Sequence, residues 1–289
     1  MRQLILILIA ILAASPALAE SQERTARKVK SAVAGRTGAP DLKSSAALVV
    51  DQSGRTLFAK NVDQVVPIAS ITKLMTAMVV IDAGLPLTEQ IAISNDDKDL
   101  IKGTRSRLRI GTVLTRRELL QLALMASENR AAEALTRVFP GGTSAFVAAM
   151  NQKAVELGMW RSRFVDGTGL SSDNVSTAQD LTKMVSAAYQ YPLIREFTTD
   201  SGLTVQLANG RSMKYNNSNR LVKSHEWQIG LSKTGYISEA GRCLVMQAKI
   251  AGKPVIIVLL DSWGKLTRIG DANRIKRWME TRSAADKPG

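Results

Sequence analysis

The sequence predicts an α/β fold: a five-stranded antiparallel sheet flanked by helices, with an all-α lobe inserted into it. Three observations carry this. Strand-like runs fall in two separated groups, two runs within 46–60 and three within 230–260. Between them, from Leu85 to about Ala208, the pattern is mainly helical with short loops. A helix borders each group, Ser70 to Gly84 and Arg268 to Arg282, and a sheet face needs such a cover. The folded domain is therefore placed at 46–283, with a sheet lobe at 46–84 and 209–283 and a helical lobe at 85–208.

In chain order, Met1-Arg2-Gln3 is a short basic start and Leu4 to Ala14 an apolar run too short to span a bilayer. Ala17-Leu18-Ala19 is a small-residue cleavage signal, so 1–19 reads as a signal peptide cut after Ala19. The absence of a nearby cysteine excludes a lipid anchor, and no later stretch is long and apolar enough to be a transmembrane helix. Export to the periplasm without a stable membrane anchor is expected. Residues 20–45, polar and basic with Gly35, Gly38 and Pro40, read as a flexible arm.

Ala46 to Asp51 and Thr56 to Lys60 read as a hairpin around Gln52-Ser53-Gly54-Arg55. The helix from Ser70 consists of good helix formers and stops at Gly84-Leu85-Pro86. Arg116 to Ala126, Arg130 to Phe139, Gly142 to Leu157 and Ser176 to Tyr189 follow as helices, the last with Thr177 as cap and Pro192 beyond its end. Strands return at Gly230 to Tyr236, Cys243 to Ile250 and Val255 to Leu260, with Gly252-Lys253 as the tight turn between the last two. In the closing helix Ile275, Trp278 and Met279 fit a face packed on the sheet, with a basic membrane-surface face as the other reading.

Composition narrows the chemistry. A 45% hydrophobic content with 4% aromatics over 289 residues suits a helix-rich globular enzyme. The formal charge of +14 drops by one when Arg2 leaves with the leader. Nucleic acid is the reflex partner for such a balance, but export argues against it and no recognition motif is present. Anionic head groups and carboxylate-rich wall peptides are the anions that an exported basic protein meets, and part of the charge can be plain solvated surface. Cys243 has no disulfide partner, and with His225 as the sole histidine there is no Cys/His metal set and little room for a Ser-His-Asp triad. No metal or cofactor is expected.

A hydrolase here must find another base, and Ser70-Ile71-Thr72-Lys73 offers one. Ser70 sits in the first turn of a helix apolar nearly all round, with Lys73 one turn on along the same face. Burial and the positive end of the helix dipole both disfavour the ammonium form, and a neutral Lys73 can take the Ser70 proton. A serine opening a helix is more often only a cap, and the pattern arises by chance; Ser262-Trp263-Gly264-Lys265 repeats it, with a glycine inside and no long helix directly after. Two further triplets separate Ser70 from Ser262. Ser127-Glu128-Asn129 is a polar turn between two helical stretches, and Lys233-Thr234-Gly235 lies in a late strand. Alone, Ser127 could be a cap and Lys233 an edge-strand charge.

The order and spacing of Ser-x-x-Lys, Ser-x-Asn and Lys-Thr-Gly form the three-motif signature of penicillin-binding proteins and serine β-lactamases. From about Ala46 to Trp278 the chain resembles the low-molecular-weight serine DD-peptidases, and within them the penicillin-binding protein seven type of murein endopeptidase. Asp166-Gly167-Thr168-Gly169-Leu170, Asn174 to Thr177 and Leu231 to Arg242 belong to the resemblance. Ser172-Asp173-Asn174 and Tyr215-Asn216-Asn217 match single motifs but fall in the wrong places for that order.

The resemblance implies that Ser70 is the acylated nucleophile, Lys73 its base and Ser127 the relay to the leaving amine. It further implies that Asn129 holds the substrate amide, Lys233 stabilises anionic groups and Thr234 binds a substrate carboxylate. Gly235 would let peptide lie along the strand edge, the N–H groups of Ser70 and Tyr236 would form the oxyanion hole, and Arg268 is a candidate carboxylate partner. The expected substrates are peptidoglycan stem peptides, cleaved at D-alanyl bonds, with β-lactam antibiotics as covalent inhibitors. The D-alanyl-D-alanine carboxypeptidase reaction is the alternative. A class A β-lactamase would need a Glu-x-x-Leu-Asn type loop, and Phe164 to Leu170 has no glutamate. A non-catalytic wall-binding or penicillin-sensing module is a further alternative, against which all six motif residues stand intact.

Overall fold

The run Ala46 to Val50 is apolar on both sides of its pleat because it forms a strand covered on both faces. That strand, β1 (Ser44–Asp51), turns into β2 (Thr56–Lys60). The computed structural model to which they belong describes residues 38–206, 210 and 212–285. The signal peptide expected at 1–19 and the arm up to residue 37 lie outside these. The expected arm boundary at 45 falls inside β1 and is corrected. Leu42 is already buried, and the backbone N–H groups of Lys43 and Ser44 donate to Asp271 at 3.0 and 2.7 Å.

A two-residue strand β3 (Val66–Pro67) leads to a 3-10 turn, Ala69–Thr72, that runs into α1 (Lys73–Asp82). The expected helix is thus present, with Ser70 and Lys73 on either side of a change in winding. After β4 (Gln90–Ala92) and a short turn at Asn95–Asp97, residues 98–112 carry no regular structure before β5 (Val113–Thr115). Then come α2 (Arg116–Met125), α3 (Asn129–Arg137) and α4 (Gly142–Glu156). Thr115 caps α2 and exchanges hydrogen bonds with Glu118, a capping box. β6 (Val175–Ser176) pairs with β3 and precedes α5 (Ala178–Ala188), capped by Thr177 as expected, and α6 (Pro192–Thr199).

The helical lobe then ends earlier than the expected 208. β7 (Gly202–Gln206) and β8 (Ser212–Asn216) form a separate antiparallel pair in which Val205 and Tyr215 are buried among exposed polar neighbours. That thin alternation is what the helical reading missed. The late strands are β9 (Gln228–Ile237), β10 (Gly241–Ile250) and β11 (Lys253–Ser262), and α7 (Thr267–Ala285) closes the fold. The tight turn lies one residue earlier than expected. Ala251 and Gly252 take φ values of 49° and 78°, the double left-handed requirement of a type I′ turn, and Lys253 already pairs with Ile250.

The five-stranded sheet has the order β2-β1-β11-β10-β9, antiparallel throughout. On one face α7 lays Ala272, Ile275 and Met279 onto Val49, Leu244, Met246, Ile257 and Leu259. Trp278 meets Phe58 edge-on at 6.3 Å. These residues are therefore spent on the sheet, which removes the membrane-surface reading. The other face packs Leu48, Val245, Val258 and Leu260 against the turn at 69–72, α1 and the helical lobe. No described helix is long and apolar enough to cross a membrane. Ser262 ends β11 fully buried, its hydroxyl 2.7 Å from that of Ser44, which makes the second Ser-x-x-Lys a structural element.

Candidate active site

Ser70 is presented by a strained turn. Ala69 holds φ 48°, a left-handed conformation unusual for a residue with a Cβ, and two glycines explain how the turn is kept. A Cβ on Gly169 would stand 2.0 Å from the Ala69 carbonyl oxygen. One on Gly235 would stand 2.8 Å from Ile68 O and 3.1 Å from Ser70 N. Backbone from 169 and from β9 thus closes on the turn from two sides, at distances only glycine permits. Gly235, expected to open the strand edge to peptide, here lies against the backbone of the Ser70 turn.

Lys73 opens α1 and is buried. Its Nζ lies 2.9 Å from Ser70 Oγ, 2.7 Å from Asn129 Oδ1 and 2.6 Å from the Thr168 carbonyl. Burial pulls its pKa down to about 8, partly opposed by the carboxylates of Asp166, Glu128 and Glu133. The geometry suits the neutral amine. Its two N–H bonds satisfy the two carbonyl acceptors, which leaves the lone pair for the Ser70 hydroxyl.

Ser127 occupies the turn between α2 and α3 with φ 60°, and its Oγ accepts a hydrogen bond from Lys233 Nζ at 2.8 Å. Lys233 is buried on β9 and also donates to Thr234 O at 2.9 Å. Its ammonium is disfavoured first by burial, then by the charges of Lys73 and Arg268. The Thr234 hydroxyl lies 2.7 Å from Ser218 Oγ, and Ser218 is fixed in turn by its N–H on Met125 O at 2.9 Å. Ser70, Lys73 and Asn129 thus make one hydrogen-bonded set, and Ser127, Lys233, Thr234 and Ser218 a second.

Asn129 is engaged at both ends, since its Nδ2 donates to Thr104 Oγ1 at 3.0 Å. Tyr236 is exposed on β9, with the Arg242 guanidinium 4.3 Å from its ring centroid. Arg268 reaches the site from α7 and donates to the Gly235 carbonyl at 2.9 Å, so its contact here is a brace on β9. Burial and the neighbouring Arg242 lower its pKa to about 10. His225 is exposed and Cys243 is a buried free thiol. Among the described residues no three His, Cys, Asp or Glu converge to hold a metal ion.

The motifs omit several residues that complete the site. The Thr168 carbonyl and Gly169 come from a loop built around Asp166. Its carboxylate accepts from the N–H groups of Thr168, Gly169 and Ser171, the Thr168 hydroxyl and the Asn174 amide. Asn174, from the rejected Ser172-Asp173-Asn174, is thereby a loop organiser, and its Oδ1 also accepts from Val165 N at 2.7 Å. Asn217 of the other rejected triplet donates to Thr198 O and Asp200 O. The Asp166 stretch and Asn174 carry a signal in the sequence, through the resemblance; Thr104 and Ser218 carry none.

A family model described as D-alanyl-D-alanine carboxypeptidase matches residues 33–264. The chain is 49% identical over 243 residues to the D-alanyl-D-alanine endopeptidase of Pseudomonas aeruginosa, spanning 83% of this chain and 78% of that one. To the D-alanyl-D-alanine endopeptidase of Escherichia coli it is 45% identical over 254 residues, spanning 87% and 82%. Among solved structures, the Streptomyces K15 DD-transpeptidase superposes with a TM-score of 0.78 at 29% identity, over 84% of this chain and 98% of that one. With its motif residues drawn together around the Ser70 turn and these likenesses along most of its length, the chain belongs to the D-alanyl-D-alanine carboxypeptidase family of serine peptidases.

Proposed function

We propose that this chain is a DD-endopeptidase that opens D-alanyl cross-links of peptidoglycan in the periplasm, through an acyl-enzyme on Ser70. The observation that carries the reading is the Lys73 amine, set between Ser70 Oγ and two carbonyl acceptors. Ser70 Oγ attacks the D-alanyl carbonyl carbon while Lys73 takes its proton. The oxyanion is met by the N–H groups of Ser70 and Tyr236. As the C–N bond breaks, the leaving amine takes a proton through Ser127, and the acyl group remains on Ser70. Water then cleaves the ester and restores the serine. Asn129 orients the substrate amide once Thr104 yields it. Lys233 and Thr234 face the carboxylate of the leaving fragment, and Arg268 steadies the strand that carries them.

The names of the two relatives at 49% and 45% identity favour cross-link cleavage over trimming of free pentapeptide ends. The Asp166 carboxylate, fully used by its own loop, is not free to activate water, so a bulky penicilloyl group should stay on Ser70. The test is incubation with purified sacculi and chromatography of the muropeptides. Loss of cross-linked dimers that disappears in Ser70→Ala is expected. Trimming of pentapeptides with dimers left intact would make the chain a carboxypeptidase.

A further inference from the structure

Residues 98–112 have no regular structure, yet side chains tie them both to the Glu128–Asn129 turn and to the β9–β10 turn. Asp99 organises the first half by accepting from the N–H groups of Ile101, Lys102 and Thr104 and from the Thr104 hydroxyl, at 2.6–2.9 Å. Thr104 holds Asn129 Nδ2. Further along, Ser106 bonds to the Glu128 carboxylate, and Arg107 lies 3.9 Å over the Tyr215 ring and donates to Lys214 O at 2.8 Å. From this fixed segment Lys102 reaches across and pairs with Glu239 in the β9–β10 turn.

The place of that pair matters. β9 is the outermost strand of the sheet, and among the described residues its far edge has no neighbouring strand. A peptide added along Ser232 to Ile237 would pass the β9–β10 turn at the Tyr236 end, where the Lys102–Glu239 bridge stands. Glu239 also accepts from Ser238, and its pKa is held down at about 2, mainly by Lys102. With side-chain exposures of 26% for Lys102 and 42% for Glu239, the bridge can open at little cost.

We propose that Lys102 and Glu239 form a clasp across the Tyr236 end of the groove that restrains admission of extended, cross-linked peptide and leaves small acyl donors unhindered. The clasp makes the pair a specificity determinant of the site, and it rests on the reading of the groove as a peptide site. A short β-lactam occupies the region around Ser70 and need not cross the bridge. A cross-linked dimer continues past it.

The test compares the wild type with Lys102→Gln, Glu239→Gln and the charge-reversed double variant Lys102→Glu/Glu239→Lys. Each is assayed for cleavage of purified cross-linked dimer and for acylation by penicillin. Either single variant should raise kcat/KM on the dimer about 2- to 5-fold, the scale of one exposed ion pair. Penicillin acylation and the melting temperature should not move, and the double variant should return to the wild-type rate on the dimer. Unchanged or slower dimer cleavage in both single variants would overturn the clasp, as would dimer and penicillin rates that shift together. Failure of penicillin to acylate even the wild type would instead strike at the reading of the site.

Discussion

The two faces of the sheet solve different problems. Beneath α7, Val49, Leu244, Met246, Ile257 and Leu259 form an apolar surface that Ala272, Ile275 and Met279 fill. The opposite face is as deeply buried, but beside Leu48, Val245 and Val258 it carries Lys233 and meets the buried Lys73 of α1 and two non-glycine residues at positive φ, Ala69 and Ser127. Buried polar groups and strained backbone cost stability, so a protein retains them where they serve chemistry. On the proposed function one face serves stability and the other reaction, and substitutions should separate the two.

The largest separation is expected from Lys73→Met. Removal of the base should lower Ser70 acylation about 10²- to 10⁴-fold. The same change should not destabilise the fold. A fall of the Lys73 pKa from 10.5 to about 8 means that its ammonium costs about 3 kcal/mol at neutral pH, using 1.36 kcal/mol per unit. Leaving the Asn129 and Thr168 carbonyls without their donor returns about 1 kcal/mol each, so a net gain of about 1 kcal/mol is predicted in denaturant unfolding. The sign can be checked against pH. The folded protein releases this proton near pH 8 and the unfolded chain near 10.5. Wild-type stability therefore rises between those values, and the variant lacks that rise.

Ile275→Ala should do the reverse. It empties a fully buried position between α7 and the sheet, which costs about 2–5 kcal/mol in unfolding free energy. Penicillin acylation of the folded fraction should keep its wild-type rate. A loss of acylation beyond the unfolded fraction would show that the two faces are coupled.

The smallest effect is expected at Ser218→Ala, which takes away the partner of the Thr234 hydroxyl. One lost hydrogen bond of about 1 kcal/mol predicts a roughly 5-fold rise in KM for substrates that bear the leaving-group carboxylate. kcat and the KM for a carboxylate-free ester should stay constant, and equal effects on both substrates would reduce Ser218 to a structural prop.

How much of this was legible in the sequence follows the same division. The apolar face was readable, because Ala46 to Val50, Val255 to Leu260 and the spacing of Ile275 and Met279 are periodic runs. The strands β3 to β6 were not, since two or three residues leave no period to detect. β7 lies inside the stretch that reads as helical and β8 shows no strand pattern, because Val205 and Tyr215 are the only buried points of their alternation. On the reacting face, the motif residues were readable as side-chain types in order. The residues that complete them were not. The Thr168 carbonyl meets Lys73 across 95 positions and Thr104 meets Asn129 across 25, and neither a backbone oxygen nor an isolated hydroxyl leaves a trace in residue type. Gly169 was visible only as part of the resemblance; its reason, a 2.0 Å approach to Ala69, belongs to the fold.

The central claim is that buried Lys73, once it has given up its own proton, takes the proton from Ser70. The most direct measurement is the rate of penicillin acylation of Ser70 as a function of pH, in the wild type and in His225→Ala. The rate should climb with pH as Lys73 loses its proton, with a midpoint at about 8, and the two proteins should give the same curve. A profile flat through that region, or an acid limb that vanishes with His225, would contradict the assignment of Lys73 as the base.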